Sequence, residues 1–178
     1  ALPEAGNRHI LARLIAVETR ASAYPDAIRR LSSLLDIDDS GVIEFAGRLR
    51  LSKVETRRLR TLVNPPTCPS VNSTEAQNRA ILYRLGADLF ADLVLVCWSA
   101  GVPGNESAWE DLRSLADRLP VSEFPIRGRD AIALGVPSGE RVGDLLSIVE
   151  RWWIDADFAP TRGECLDKLR AVAAAHRA

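Results

Sequence analysis

The chain of 178 residues is 47% hydrophobic and 26% charged, a composition typical of a folded globular protein rather than a disordered one. Its 23 basic and 24 acidic residues leave a net charge of −1. Overall charge therefore does not attract nucleic acid, and any RNA contact must come from local basic patches. The longest strongly apolar run, residues 93–98, is too short to cross a bilayer.

The cysteines and the start of the chain bear on its compartment and extent. Three cysteines lie far apart and are odd in number, which favours reduced thiols in a cytoplasmic protein over a disulfide framework. No secretory signal opens the chain, so we expect a cytoplasmic location. The chain begins at Ala1 and has no methionine, which we interpret as a portion of a longer protein.

Helical periodicity dominates the chain. The predicted helices lie near residues 8–20, 25–35, 42–49, 53–63, 74–85 and 89–97, then from 107, at 130–134, from 140 and from 161. No stretch alternates as a strand does between hairpin turns. The sequence therefore predicts an all-α protein of about ten helices, with a helical-repeat solenoid as the weaker alternative.

Local signals predict how several of these helices begin and which residues they bury. Pro25 suits a first helical turn, and Ser52, Ser107 and Thr161 each open a capping box. Residues 89–97 are apolar on nearly every side, which predicts the most buried helix. The inward faces of the first and third helices are predicted to include Ile10, Leu11, Leu14 and Ile15, and Ile43, Phe45 and Ala46. Trp98, Trp109, Trp152 and Trp153 are interpreted as core residues.

A proline-bracketed linker suggests two domains. Pro120 and Pro125 flank an extended stretch with little periodicity. We therefore predict a helical body over residues 1–119 and a smaller helical tail over residues 120–178.

The sequence offers no coherent catalytic site. Asp36, Asp38 and Asp39 are the closest approach to a metal-binding carboxylate cluster, and they fall between helical patterns with no strand before them. Asp155 and Asp157 fall in a predicted loop. All five are interpreted as residues of solvated turns, and the two histidines, His9 and His176, as surface residues. The chain itself is therefore predicted to have no catalytic residue and no metal site.

The densest positive charge lies in residues 48–60. Lys53, Arg57 and Arg60 share one face of the predicted helix, opposite Val54, Leu59, Leu62 and Val63. A basic stripe of this kind can follow a phosphate backbone, and it can equally be an ordinary solvated face. Both interpretations stay open on the residues alone.

A second basic group surrounds the turn at residues 135–139. Arg127, Arg129 and Arg141 flank this turn, and amides at a helix start can bind a phosphate. The alternative is that Gly135, Gly139 and Gly143 simply permit a tight turn and close helix packing.

Residues 127–153 carry a linear pattern of glycines, apolar residues and a terminal aromatic pair. The pattern resembles the C-terminal signature of bacterial class II CCA-adding tRNA nucleotidyltransferases and the similar poly(A) polymerases. Its residues are Gly128, Asp130, Ile132, Leu134, Gly135, Pro137, Gly139, Val142, Gly143, Trp152 and Trp153. Segments 27–35, 49–52 and 82–86 are similar to body segments of the same family.

This resemblance implies a role in tRNA processing. In such enzymes a head performs Mg²⁺-dependent transfer, a neck selects CTP or ATP, and a helical body and tail hold the tRNA. The chain would then be body plus tail, with tRNA as partner and no cofactor of its own. By charge and position, the expected RNA contacts are Lys53, Arg57, Arg60, Arg127, Arg129 and Arg141. The alternative is a helical protein-interaction module without RNA binding.

Overall fold

The computed structural model describes residues 6–118 and 122–175, which form ten α-helices and no β-strand. In chain order they are α1 Arg8–Arg20, α2 Ala27–Ser32, α3 Asp39–Arg48, α4 Lys53–Val63, α5 Glu75–Leu85, α6 Ala87–Ser99, α7 Glu106–Arg118, α8 Gly128–Ala133, α9 Glu140–Asp155 and α10 Arg162–Ala175. The predicted all-α fold class is confirmed.

The chain divides into two compact units, Ala1–Pro120 and Val121–Ala178. Helices α1 to α7 belong to the first unit and α8 to α10 to the second. The predicted boundary between residues 119 and 120 lies outside the described residues, and the assignment of a body and a tail stays a prediction.

Helix α6 is the centre of the first unit. Phe90, Val94 and Trp98 pack into a core shared with α1, α5 and α7. Leu93 instead joins a second core with residues of α2, α3 and α4. Because α6 contributes to both cores, it is apolar on nearly every side, and the prediction that this helix is the most deeply buried is confirmed. The rings of Trp98 and Trp109 stack at 6.2 Å between centroids, so both are core residues as predicted.

The second unit is built around one face of α9. Leu145, Val149 and Trp153 are buried there, at the helical spacing that the sequence predicts. The Trp153 ring packs against Phe124 in a tilted arrangement and nearly perpendicular to Phe158, at 5.4 Å and 4.9 Å between ring centroids. Its indole N–H donates to the Pro160 carbonyl at 3.1 Å. Trp152 is only half-buried, with the Lys168 ammonium 5.5 Å from its ring centroid.

Two predicted inward positions are wrong by one or two residues. Ile15 is 40% exposed and Ile43 is 56% exposed, while Val17 and Val42 are buried. Leu14, Phe45 and Ala46 are buried as predicted. On a helix one residue is a rotation of about 100°. The position of the neighbouring helix therefore determines which residues of a broad apolar stripe are buried.

Two of the predicted helix starts are also wrong. Pro25 precedes the N-cap of α2, which is Asp26, and so lies outside the first turn. Helix α7 begins one residue before Ser107, and the Asn105 side chain accepts a hydrogen bond from the Ala108 amide at 2.7 Å. Asn105, rather than the predicted Ser107, therefore provides the side-chain oxygen that caps the start of α7.

Candidate nucleic-acid interface

Helix α4 carries the basic face that the sequence singles out. Ser52 and Glu55 form the predicted capping box, with hydrogen bonds of 3.2 Å and 2.8 Å. One face of α4 buries Leu59 and Leu62 against α2 and α3. Lys53, Arg57 and Arg60 are exposed, as expected for a solvent-facing stripe. Val54, predicted to lie opposite them, is 78% exposed and is therefore not a core residue.

A buried ion-pair network fixes α4 against α6. Asp92 of α6 accepts hydrogen bonds from Arg58 Nε at 2.8 Å and Arg58 Nη2 at 2.6 Å. Its other oxygen accepts from Arg29 Nη1 of α2 at 2.8 Å. Asp92 and Arg29 are almost fully buried, so the bond between them is shielded from solvent, while the Arg58 side chain is 32% exposed.

The same network continues into α1 and the start of α2. Glu18, 1% exposed, accepts from the Nε atoms of Arg29 and Arg30, each at 2.8 Å. The other oxygen of the Asp26 cap accepts from Arg58 Nη1 at 3.0 Å. We call Glu18, Asp26, Arg29, Arg30, Arg58 and Asp92 the charge network. With three acids and three arginines it is electrically balanced, as buried charge requires.

Proton affinities within the charge network reflect these contacts. Partial burial raises the pKa of Asp26, but hydrogen bonds from the Arg29 amide and Arg58 outweigh it, so that pKa lies below its ordinary value. Partial burial lowers the pKa of Arg58, while Asp92 and Asp26 raise it to a net value above the ordinary one. Both groups are thus held in their charged forms.

Sequence reasoning missed the charge network. Arg58 stands in the predicted basic stretch, but its guanidinium faces Asp92 and Asp26 instead of solvent. One signal could have revealed the arrangement: Asp92 interrupts the otherwise apolar run of α6. A carboxylate at the centre of the most buried helix needs a buried cationic partner.

A groove beside the charge network contains two arginines whose side chains have no partner within the described part of the chain. Its cavity of about 320 Å³ is lined by Val54, Arg57, Arg58, Thr61, Arg84, Leu85, Asp88 and Leu89. The exposed guanidinium groups of Arg57 and Arg84 form no ion pair or side-chain hydrogen bond with any residue of the described ranges. We call this feature the arginine groove. Arg84 was absent from the sequence-based candidates because Arg79 is the one basic residue near it in the sequence.

Arg60 and Lys53 lie outside the arginine groove. Arg60 Nε donates to Asp39 at 2.8 Å, and both side chains are about half exposed. The hydrogen bond lowers the pKa of Asp39 and raises that of Arg60. Of the three predicted α4 contacts, Arg57 alone lines the groove, Arg60 is engaged by an acid, and Lys53 is exposed near the helix start.

The second basic group lies in the Val121–Ala178 unit. The Arg127 amide donates to Asp130 Oδ2 at 2.7 Å, and Asp130 Oδ1 accepts from Arg162 Nη2 at 2.6 Å. Both hydrogen bonds lower the pKa of Asp130, and the one from the Arg127 backbone amide has the larger effect. A protein carboxylate thus occupies the start of α8, whereas the helix start considered for a phosphate, after the turn at residues 135–139, is that of α9. Arg129 is exposed.

Arg141 lies apart, at the first turn of α9. It lines a cavity of about 240 Å³ with Gly135, Val136, Pro137 and Ala173. Gly135 and Gly139 have φ values of 81° and 142°, which other residues rarely adopt, so the tight turn explains them. No atom outside its helix backbone approaches a Cβ position on Gly143 within 4 Å, so the close-packing explanation is wrong for that glycine.

Three of the acidic residues considered as metal ligands have other roles or positions in the helices. Asp38 caps α3 by accepting from the Gly41 amide at 2.8 Å, Asp39 pairs with Arg60, and Asp155 ends α9. In residues 6–118 and 122–175 no three histidine, cysteine or acidic side chains are grouped as metal ligands. His9 is exposed, and His176 lies outside the described residues.

No helix in the described ranges is both long enough and apolar enough to span a membrane. No protein-family model matches the chain, and no curated protein matches it either. The resemblance to CCA-adding enzymes therefore depends on the motif residues themselves.

Proposed function

We propose that this chain binds tRNA as the body and tail of a CCA-adding or poly(A) polymerase-like nucleotidyltransferase. The motif in residues 127–153 supports the proposal that the chain is part of an enzyme of this family. The arginine groove is the single observation that carries RNA binding, because two of its arginines, Arg57 and Arg84, form no ion pair with any acid of the described ranges. In this proposal the chain holds the RNA, and Mg²⁺-dependent transfer takes place in a separate head.

The arginine groove has the chemistry of a phosphate-binding cleft. Each guanidinium offers a planar set of donors that matches two phosphate oxygens. Arg57 projects from α4 and Arg84 from the last turn of α5, so the two cations approach the cavity from different helices. Leu85 and Leu89 supply apolar surface beside them, suited to the carbon atoms of a ribose.

The charge network prepares α4 for this role. It neutralises Arg58 with protein carboxylates, so that this arginine holds the helix instead of competing for the ligand. Arg57, one residue earlier, lies on the exposed side and keeps its hydrogen-bond donors for a ligand. RNA binding through a few such contacts is shape-dependent and does not read base sequence.

The tail arginines form a second contact region in this proposal. Arg129 and Arg141 are exposed and can approach RNA phosphates. Arg127 is exposed at its side chain while its amide is bound to Asp130. Because the net charge is −1, only local contacts contribute. We therefore expect a shallow dependence of affinity on salt, set by a handful of phosphates.

The test is binding of labelled tRNA to the intact chain over a salt series, with an unlabelled plain RNA duplex of equal length as competitor. The proposal predicts tRNA binding that weakens with salt and resists the duplex. Equal competition by the duplex would reduce the proposal to general RNA binding. No binding at low salt would contradict it and would favour the protein-interaction module, for which Val54 supplies exposed apolar surface in the same groove.

A further inference from the structure

Tyr24 is the most exposed of the large apolar side chains in the described part of the chain, at 91%. It lies in the loop between α1 and α2. Its ring and hydroxyl form no hydrogen bond or ring contact with any residue of the ranges 6–118 and 122–175. Single exposed aromatic rings are common on protein surfaces, so exposure alone assigns no role. Tyr24 is distinguished by its anchored backbone and by its position beside the arginine groove.

The backbone around Tyr24 is held on both sides. The Tyr24 carbonyl accepts a hydrogen bond from Nη2 of Arg29, which is buried. The preceding Ala23 amide donates to the Glu18 carbonyl at 2.9 Å. Pro25 follows, and a proline restricts the residue before it to extended backbone conformations. The ring is therefore presented to solvent from a fixed backbone, and little conformational freedom is lost when a ligand packs against it.

The loop that carries Tyr24 reaches the lining of the arginine groove. Asp26, two residues further along, caps α2 and accepts from Arg58 Nη1 at 3.0 Å. Arg58 itself lines the groove and is adjacent in sequence to Arg57. Two residues of extended chain span at most about 7 Å. The Tyr24 backbone therefore lies close to the groove, on the side of Arg58.

The acids on this side of the groove are neutralised. Asp26 pairs with Arg58, and Asp92 pairs with both Arg29 and Arg58. The charge network therefore adds no net repulsion for a phosphate chain that extends from the groove towards Tyr24.

We infer that Tyr24 is a base-stacking residue beside the arginine groove, and that this site takes RNA with an unpaired nucleotide. The inference rests on the proposed function, because the arginine groove binds the neighbouring phosphates. Proteins that bind single-stranded nucleic acid combine a positively charged groove with aromatic rings on which bases stack. A base inside a stem is stacked between its neighbours, whereas an unpaired base can turn outwards onto the ring. Because every base can stack, the site selects unpaired structure rather than sequence.

The test measures binding of three labelled RNAs to the intact chain by fluorescence anisotropy. They are tRNA, a plain duplex, and a single strand of about ten nucleotides. Tyr24→Ala should bind tRNA and the single strand about fivefold or more weakly than wild type, because one stacked base is lost. Its affinity for the duplex should stay within about twofold of the wild-type value. The slope of log affinity against log salt should not change, because the substitution removes no cation.

Tyr24→Phe is the matched control, because it keeps the ring and removes only the hydroxyl. It should bind all three RNAs within about twofold of wild type. Both substitutions keep the carbonyl that Arg29 binds, so we expect both variants to fold, which circular dichroism checks. Equal weakening by Tyr24→Phe and Tyr24→Ala would assign the effect to the hydroxyl and overturn the stacking role.

The outcomes separate this inference from the proposed function. If Tyr24→Ala leaves tRNA binding unchanged, the inference is overturned and the proposed function stands. Equal weakening for tRNA and the duplex would also overturn it, because a stem offers no free base. If wild type does not bind tRNA, the proposed function is contradicted and the single strand decides the inference. Single-strand binding that Tyr24→Ala weakens would then support the stacking site, and binding that is unchanged or absent would overturn it.

Discussion

Adjacent residues Arg57 and Arg58 on α4 belong to regions of opposite character. Arg58 enters the charge network, where Asp92 and Asp26 neutralise it. Arg57 lines the arginine groove, where no acid of the described ranges pairs with it. The difference teaches that an arginine's role is decided by the carboxylates that the fold brings to it. Arg58 attaches α4 to the acids of the charge network, while the charge of Arg57 is available to a ligand in the arginine groove.

The largest expected effect comes from breaking the charge network at its centre. Asp92→Asn leaves Arg29 and Arg58 each without a buried carboxylate partner. We expect the free energy of unfolding to fall by about 3 kcal/mol, measured by urea denaturation monitored by circular dichroism. The mutation removes charge with little change of volume, so packing contributes little to this loss.

Asp88→Asn is the matched control for that measurement. Asp88 lies one helical turn before Asp92 on α6 and is exposed. Its replacement should change the free energy of unfolding by less than about 0.5 kcal/mol. Similar losses in the two variants would mean that the buried position of Asp92 has no special importance.

A smaller effect is expected on acidification, through Asp26. Its folded-state pKa is lower than its unfolded-state pKa, so its contribution is present above the unfolded-state value, about 3.9, and is lost as the pH falls through the folded-state value. Asp26→Asn keeps an N-cap for α2 but removes the charge that pairs with Arg58. The variant should be less stable by about 1 kcal/mol at pH 7.

The test measures the free energy of unfolding of wild type and of Asp26→Asn at several pH values between pH 7 and pH 3. The stability difference between wild type and Asp26→Asn should shrink below about pH 4, as Asp26 takes up its proton. A difference that stays constant across this range would show that the ion pair with Arg58 contributes nothing to the loss.

The smallest effect sharpens the account of the arginine groove. Asp88 is the one acid among the residues that line it. Asp88→Asn removes its repulsion of a phosphate, so RNA affinity should rise about twofold at low salt and by less at high salt. Fluorescence anisotropy with labelled tRNA measures this change. Affinity that is unchanged or weaker at low salt would mean that phosphate does not approach this side of the groove.

Much of the fold could be predicted because its signals are local. The capping boxes at Ser52 and Thr161 are each specified by four residues of sequence, and the structure has both. The apolar pattern of α6, broken inside the helix by Asp92, likewise predicts deep burial. The helical character of the chain and the approximate ends of its longer helices follow from such local signals.

The site was harder to predict because it depends on distant contacts. Asp92 reaches Arg29 across 63 residues, and Arg84 joins Arg57 only after α5 and α4 pack into one unit. Charge counted along one helix treats Arg57, Arg58 and Arg60 alike. In the fold, Arg57 lines a groove without an acid partner, Arg58 forms partly buried ion pairs, and Arg60 pairs with a surface acid.

The most direct test compares two variants of equal charge in the tRNA-binding assay. Arg57→Ala/Arg84→Ala removes the two arginines of the arginine groove that pair with no acid of the described ranges, and leaves Arg58 in its ion pairs. Arg8→Ala/Arg118→Ala removes two exposed arginines that do not line it. Circular dichroism and urea denaturation establish that both variants keep their fold before affinities are compared.

We expect the groove variant to bind tRNA roughly tenfold or more weakly than wild type, because each substitution removes a charge-assisted hydrogen bond to phosphate. Its slope of log affinity against log salt should be shallower by about 2, one unit for each phosphate that the variant no longer binds. The control should keep most of its affinity and a slope close to that of wild type. Equal reductions of affinity in the two folded variants would show that net charge, rather than the arginine groove, governs RNA binding, and would contradict the central claim.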